Sequence, residues 1–385
     1  MTAPPNDEHS NRVARARDLM RQRGIDGLVV TDPVSYTYFT AHKVPAWMKS
    51  RPSILVLALD GEPTLISWSG PEMFSRLYKR PFPSWIADRR IYPEVPFNRE
   101  PRVDWGIADV LREKKLDRAR VGIELGRETW LGIPVADFEL LKEQLPAVRF
   151  VDSGPVLWGC RLIKSEWEIS CMRRACEAGG RAWARCFEEL RPGISARAVQ
   201  QRVLSLYAEE GADLTSEPPT VLGASGPGQT FQQGDILYMD GGCTYSGYKM
   251  DFTRRAVFGA PSPRQQAEHD GMWALLFEIM ERMKPGVPVR DLFAFSQQRM
   301  DTHKEWKNYS DHPSKRIGHG IGLENEPPSI SAFDDTVLEC GMALTPEPKI
   351  ESEDGLVNPE EHVVITTTGC DVLSSGSDWR LHVVA

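Results

Sequence analysis

The chain has 385 residues, 26% of them charged and 41% hydrophobic, and 54 acidic against 46 basic side chains leave a net charge of −8. That length suits two domains with separate cores. The acidic balance excludes the concentrated basic face of a nucleic-acid binder, and no run approaches the roughly 18 apolar residues of a membrane span. The opening MTAPPNDEHSNR is polar and Pro-containing, without the apolar stretch of a signal peptide. Seven cysteines, with no CxxC and none before Cys160, read as reduced thiols, so a cytoplasmic location is expected.

In chain order, Val13, Ala16, Leu19 and Met20 repeat at helical spacing and Gly24 stops that helix. DGLVVTD is a short apolar strand closed by Asp32-Pro33, and SILVLALDGEPTLISW reads as a hairpin around Asp60-Gly61. A helix near 104–115 leads to a strand at 120–124. Strands alternating with helices predict an α/β domain over residues 1–157.

VDSGPVLWGCRLIKSEWEISCMRRA reads as the hinge, with SGP breaking the chain. Ser165 and Glu168 have capping-box spacing for a helix that runs to about Leu190. Pro192-Gly193 ends it, and Ser195 starts another helix near 195–210. Turn-rich and strand-like segments follow until Pro263, where a long helix reaches about Met283. A shorter helix is expected near 288–302. Residues 158–385 form the second domain. Helices followed by an acidic hairpin occur in it once over 165–255 and again over 263–365, which predicts two similar halves.

The hairpins carry the chemistry. Asp240 and Asp251 lie in ILYMDGGCTYSGYKMDFTRR, and direct opposition would centre the turn near Tyr245–Ser246. Asp240 alone, before Gly-Gly, is a turn signal; two opposed carboxylates must share a proton or hold a cation. His319 lies in RIGHGIGLENEPP, where glycines allow close backbone approach. Glu347 lies in ALTPEPKI, and Glu360 and Glu361 are adjacent, so strand alternation sends only one of them toward the site. A tight Asp354-Gly355 turn would oppose neither to Glu347, so a longer loop is expected; spacing alone leaves the choice open. Four carboxylates and an imidazole suit two divalent ions (Mn, Co, Fe or Zn) that share a bridging hydroxide.

These segments, in this order, resemble the pita-bread metallohydrolases aminopeptidase P, prolidase and methionine aminopeptidase, and their metal-free relative creatinase. RLIKSEWEISCMRRA is similar to the family's interdomain helix, and DGG…GYKMDFTR, GHGIG, LTPEP and the acidic pair before VVIT match its ligand segments. The resemblance implies a creatinase-like N-terminal α/β domain, a pita-bread catalytic domain with two pseudo-symmetric halves, and a homodimer. It places the metal ligands on Asp240, Asp251, His319, Glu347 and Glu360, with Glu360 preferred for its spacing to Gly369. It implies hydrolysis of an amide C–N bond in a short peptide or peptide-like molecule, with Glu347 as the proton shuttle. Two features depart from the family. No histidine lies between Cys160 and Asp240, and Glu326 stands where a second histidine follows the ligand histidine. Glu326 is thus a candidate to contact or deprotonate substrate, and a non-peptide metabolite is the alternative, cleaved by a hydrolase or a lyase. The related lyases carry acidic residues at the positions of Asn325 and Gly242, which this chain lacks. Arg316 and His312 are candidates for a substrate carboxylate. Trp47, Lys49 and Arg51 are candidates to reach a neighbouring subunit's site, against the plainer reading of exposed loop residues and one packed Trp.

Overall fold

A computed structural model of the chain describes residues 4–5, 7–44, 51–92, 102–214, 216–303, 306–308 and 316–385. Trp47, Lys49 and His312 lie outside these residues. The chain divides into two compact units, Pro4–Arg161 and Leu162–Ala385.

In the first unit, the helix Glu8–Arg23 buries Val13, Ala16 and Met20. Gly24 closes it with a left-handed φ of 62°, so that Ile25 N–H reaches Met20 O at 2.9 Å. The strand Gly27–Val30 pairs antiparallel with Ile54–Ala58 and parallel with Arg120–Ile123. Ile54–Ala58 and Thr64–Trp68 form the expected hairpin. Among the described residues the sheet has six strands, in the order Asp88–Tyr92, Thr64–Trp68, Ile54–Ala58, Gly27–Val30, Arg120–Ile123, Arg149–Asp152. Arg51 stacks over Trp68 at 5.6 Å within this unit.

SGP breaks the chain between the strand Arg149–Asp152 and the helix Gly154–Leu162, which it opens. Pro155 falls in the first turn, where its missing N–H would have had no helical partner. Asp152 Oδ1 accepts from Gly154 N–H at 2.9 Å and satisfies one of the initial donors.

The second unit repeats one plan. The helices Glu166–Glu189 and Ala196–Glu209 accompany a sheet ordered His382–Val384, Phe252–Phe258, Ile236–Gly241, Thr220–Leu222. Trp183, Tyr207, Phe231 and Phe258 belong to their shared core. The helices Pro263–Met280 and Val289–Met300 accompany a sheet ordered Asn325–Ser331, Arg316–Ile321, Ala343–Pro346, Val363–Ile365, Cys370–Val372. Leu276, Leu292, Ile317 and Leu344 belong to that core. No helix among the described residues is long and apolar enough to cross a membrane.

Both halves open with the same local device. Ser165 with Glu168, and Ser262 with Gln265, form complete capping boxes. Each serine satisfies a backbone N–H that the first turn cannot. Ser165→Ala and Ser262→Ala are each expected to cost about 1 kcal/mol. Urea denaturation checks this; a loss confined to one serine would contradict the equivalence of the halves.

Candidate metal centre

The first acidic pair is set by a turn. Thr244–Tyr245 and Tyr248–Lys249 pair around Ser246 and Gly247, whose φ angles are 52° and 85°. Two positive angles make the type I′ geometry that suits the twist of a hairpin, and glycine is favoured second. Asp213 anchors this turn, accepting from Ser246 N–H at 3.1 Å and Gly247 N–H at 2.7 Å. Gly247 therefore takes the turn position expected for Tyr245, and the register moves with it. Asp240 pairs with Thr253, not with Asp251. The expected direct opposition is corrected to a diagonal: Asp251 lies two residues nearer the turn, on the face that Thr253 shares with Asp240.

The second pair lies between two ladders. Ala343 pairs with Val364 in one sheet, and Ile350 with Val357 in another, and both share one register. Glu347 and Glu360 fall in the unpaired stretch between the ladders, at positions that register would set opposite each other. No longer loop is needed, contrary to expectation. Ser352 pairs with Gly355, so the tight turn is Glu353–Asp354, one residue earlier. Gly355, at φ 102°, supplies the left-handed residue that follows it.

His319 sits on the central strand Arg316–Ile321, between Asn325–Ser331 and Ala343–Pro346. A side chain at Gly318 would meet Thr345 O at 2.5 Å, and one at Gly320 would meet Pro327 O at 2.2 Å. The flanking glycines thus allow the neighbouring strands to close on the histidine. Nδ1 lies 2.9 Å from Gly320 O. Nδ1–H donates there, which leaves the Nε2 lone pair for the site. Burial holds the imidazole pKa below its ordinary value, in the neutral form a metal requires.

Asp251, His319 and Glu360 each offer a ligand atom, and these atoms lie within 4.8 Å of one another. His319 Nε2 is 3.7 Å from Asp251 Oδ2. Glu360 is 1% exposed, and its Oε2 has no hydrogen-bond partner. A buried carboxylate oxygen left without a donor is costly unless a cation meets it. The carboxyl pKa values agree. Burial, then repulsion from Asp251, Glu347 and Asp240, pushes Glu360 well up. Burial, then Asp240 and Glu347, does the same to Asp251. Burial also raises Asp240, opposed by a hydrogen bond from Tyr238. Such a cluster fits divalent cations, and oxygen-rich ligation with one imidazole suits first-row metals.

Glu347, 5% exposed, carries the richest set of contacts. Its Oε2 accepts from Lys349 Nζ at 2.6 Å and from Asn358 Nδ2 at 3.3 Å, and its Oε1 lies 4.0 Å from Arg316 Nε. The Arg316 side chain is 40% exposed, so it is open to solvent beside the cluster.

Glu361 points elsewhere. It pairs with buried Arg254 at 3.0 Å and accepts from Ser374 Oγ. Strand alternation sent the two glutamates to opposite faces, and only Glu360 joins the cluster. Glu361→Gln should therefore cost on the order of 3 kcal/mol of stability by stranding the Arg254 charge. Metal content should hold at the wild-type level; metal analysis of the folded variant checks this.

Glu326 does not stand open to a substrate. Its Oε2 lies 2.9 Å from Lys164 Nζ, with both side chains almost fully buried, and Oε1 accepts from Leu323 N–H at 3.2 Å. His362 lies buried nearby, its pKa pushed down to about 3 by burial, then by the charge of Lys164. Sequence spacing marked none of Lys164, His362, Tyr238 or Asn358. Tyr238 stands two residues before Asp240 on the same face of the strand Ile236–Gly241, but nothing in the local sequence marks its contact with Asn358.

Residues 170–367 match the model of metallopeptidase family M24, and residues 12–163 match the creatinase/prolidase N-terminal domain. The chain belongs to metallopeptidase family M24. Among its relatives, the Xaa-Pro dipeptidase of Pyrococcus horikoshii is 30% identical over 272 residues, covering 66% of this chain and 75% of the relative. The ectoine hydrolase of Halomonas elongata is 24% identical, covering 96% of this chain and 95% of the relative. The Xaa-Pro dipeptidase structure from Bacillus anthracis superposes with a TM-score of 0.80 at 23% identity, covering 98% of this chain and 100% of that one. That likeness establishes the two-domain pita-bread fold. As an M24 member, the chain is a hydrolase that uses divalent metal ions.

Proposed function

We propose that this M24 hydrolase cleaves Xaa-Pro peptides, with its ions held by Asp240, Asp251, His319, Glu347 and Glu360. One observation carries the reading: buried Asp251, His319 and Glu360 each bring a ligand atom within 4.8 Å of the others, and Glu360 Oε2 has no hydrogen-bond partner. Relatives at 30% and 31% identity are named Xaa-Pro dipeptidases. Two ions of the Mn, Co, Fe or Zn type balance the four carboxylates. Bound there, they supply Lewis acidity and lower the pKa of water to near neutrality.

The chain's own groups do the rest. His319 is fixed in one tautomer by Gly320 O, so Nε2 stays directed into the site. Glu347 is the proton shuttle, between the attacking water and the departing amine. Its Oε2 is steadied by Lys349 and Asn358. Arg316, partly open beside Glu347, is placed to meet a substrate carboxylate. We assign the catalytic domain to residues 158–385 and the N-terminal domain to 1–157, in a cytoplasmic homodimer.

The non-peptide alternative has less support. The dipeptidase relatives are the more similar in sequence, and acidic residues are lacking at Gly242 and Asn325. The test is metal content together with cleavage of Xaa-Pro dipeptides and tripeptides, before and after chelation. Cleavage lost on chelation and restored by Mn, Co or Zn is expected. A metal-loaded protein that cleaves no Xaa-Pro peptide but turns over another small amide would overturn the peptide substrate.

A further inference from the structure

The two halves of the catalytic unit each contribute carboxylates to the cluster, and one pair of polar side chains joins them. Tyr238 lies two residues before Asp240 on the strand Ile236–Gly241, so both point to the same face. Its phenol donates to Asp240 Oδ2 at 2.8 Å. Asn358 belongs to the other half, two residues before Glu360. Its Nδ2 donates to the Tyr238 oxygen at 3.0 Å and to Glu347 Oε2 at 3.3 Å. Asn358 is 1% exposed and Tyr238 is 6% exposed.

The orientation of the amide follows from its partners. The phenol hydrogen is committed to Asp240, so the phenol oxygen can only accept from Asn358. Glu347 likewise only accepts. Asn358 must therefore turn its NH2 toward both, and its Oδ1 is left buried without a partner. A natural interior seldom keeps an unsatisfied amide oxygen without a compensating role.

We propose that Tyr238 and Asn358 form a clamp that orients Asp240 and Glu347 for metal binding. It ties a carboxylate of the first half to one of the second and reserves Asp240 Oδ1 and Glu347 Oε1 for the ions. The proposal rests on the metal reading given above. Both are positioning residues, because they act through the carboxylates. Outer-sphere partners of this kind typically change metal affinity by 10–100-fold when removed.

The test is calorimetric titration of the chelated full-length protein with Mn2+, alongside its melting temperature without ions. Tyr238→Phe keeps the ring and its packing while removing the hydrogen bond to Asp240. We expect it to weaken Mn2+ binding about 10–100-fold, out of proportion to the modest fall in melting temperature that unpairing Asp240 Oδ2 and Asn358 Nδ2 causes in the chelated protein. Asn358→Ala should act in the same direction, and the double variant should fall short of the summed effects, as coupled groups do. Mn2+ affinities within twofold of wild type in both single variants would overturn the clamp. So would losses of affinity that merely track a loss of stability of the chelated protein. If the wild-type protein itself binds no Mn2+, the metal reading fails, and that result is visible before any variant is made.

Discussion

Glu360→Gln should melt higher than the wild type after chelation and lower than the wild type when metal is present. The opposite signs follow from one oxygen. Glu360 Oε2 is buried without a donor and crowded by Asp251, Glu347 and Asp240. Without ions, the glutamate must either bury a charge beside three carboxyls or take up a proton on folding, and glutamine does neither, so the chelated variant gains stability. With ions, the variant loses a ligand, and an effect at or beyond the roughly 100-fold upper end for outer-sphere changes is expected in affinity. The wild type should gain about 2.7 kcal/mol per site at 100 times the dissociation constant. The variant forfeits much of that. Differential scanning calorimetry with and without Mn2+ reads both signs; a variant that melts lower in both conditions would assign Glu360 to packing.

The same cluster fixes a pH dependence. The folded-state pKa values of Asp251 and Glu360 are raised above their unfolded values. Without ions, their contribution to stability is therefore lost as pH rises from the ordinary carboxyl range through the raised values. Ions must displace the protons those raised pKa values retain, so metal affinity should rise with pH over the same window. Proton release on Mn2+ binding, read from the buffer dependence of the binding enthalpy, checks the sign.

Much of this centre was legible in the sequence because it rests on local spacing. The five candidate residues lie in short segments whose glycines and prolines limit where strands can run. Helices followed by an acidic hairpin, once over 165–255 and again over 263–365, announced the two halves, whereas the second capping serine, Ser262, was found only in the fold. Register was less legible. Placing the first turn at Tyr245–Ser246 rather than Ser246–Gly247 changed the opposition of Asp240 and Asp251. The preference of glycine for the second position of a type I′ turn settles that choice. The short helices Pro33–Thr40, Gly70–Leu77 and Val135–Gln144 escaped notice. Helices of this length depend on tertiary contacts more than on their own propensity. The side chains that finish the site were not legible at all. Asp213 reaches the turn from 33 residues away in sequence, and Asn358 reaches Tyr238 from 120. No local pattern encodes such pairs.

Glu326 is where chain position and structure part most sharply, and it yields the second large effect. The resemblance, which has a second histidine at this position, set it among the substrate-contacting candidates. Its carboxylate instead meets Lys164 at 2.9 Å, with side chains 2% and 1% exposed. An ammonium left buried without its counterion is strongly unfavourable, so Glu326→Gln should cost about 3–5 kcal/mol. In a unit of this size that lowers the melting temperature by roughly 6–20 °C, at about 2–4 °C per kcal/mol. Lys164→Met should be similarly harmful, because it strands the carboxylate. The double variant Lys164→Met with Glu326→Met removes both charges and should recover much of the loss, since a buried pair contributes little net stability against an apolar replacement. The functional reading in the sequence makes the opposite demand: Glu326→Gln would leave the melting temperature in place and abolish turnover. Thermal denaturation of the three variants, with kcat measured on the fraction that remains folded, separates the two. We expect loss of stability, with kcat within a few-fold of wild type, because the carboxylate that Lys164 holds is not one that can move a proton for the substrate.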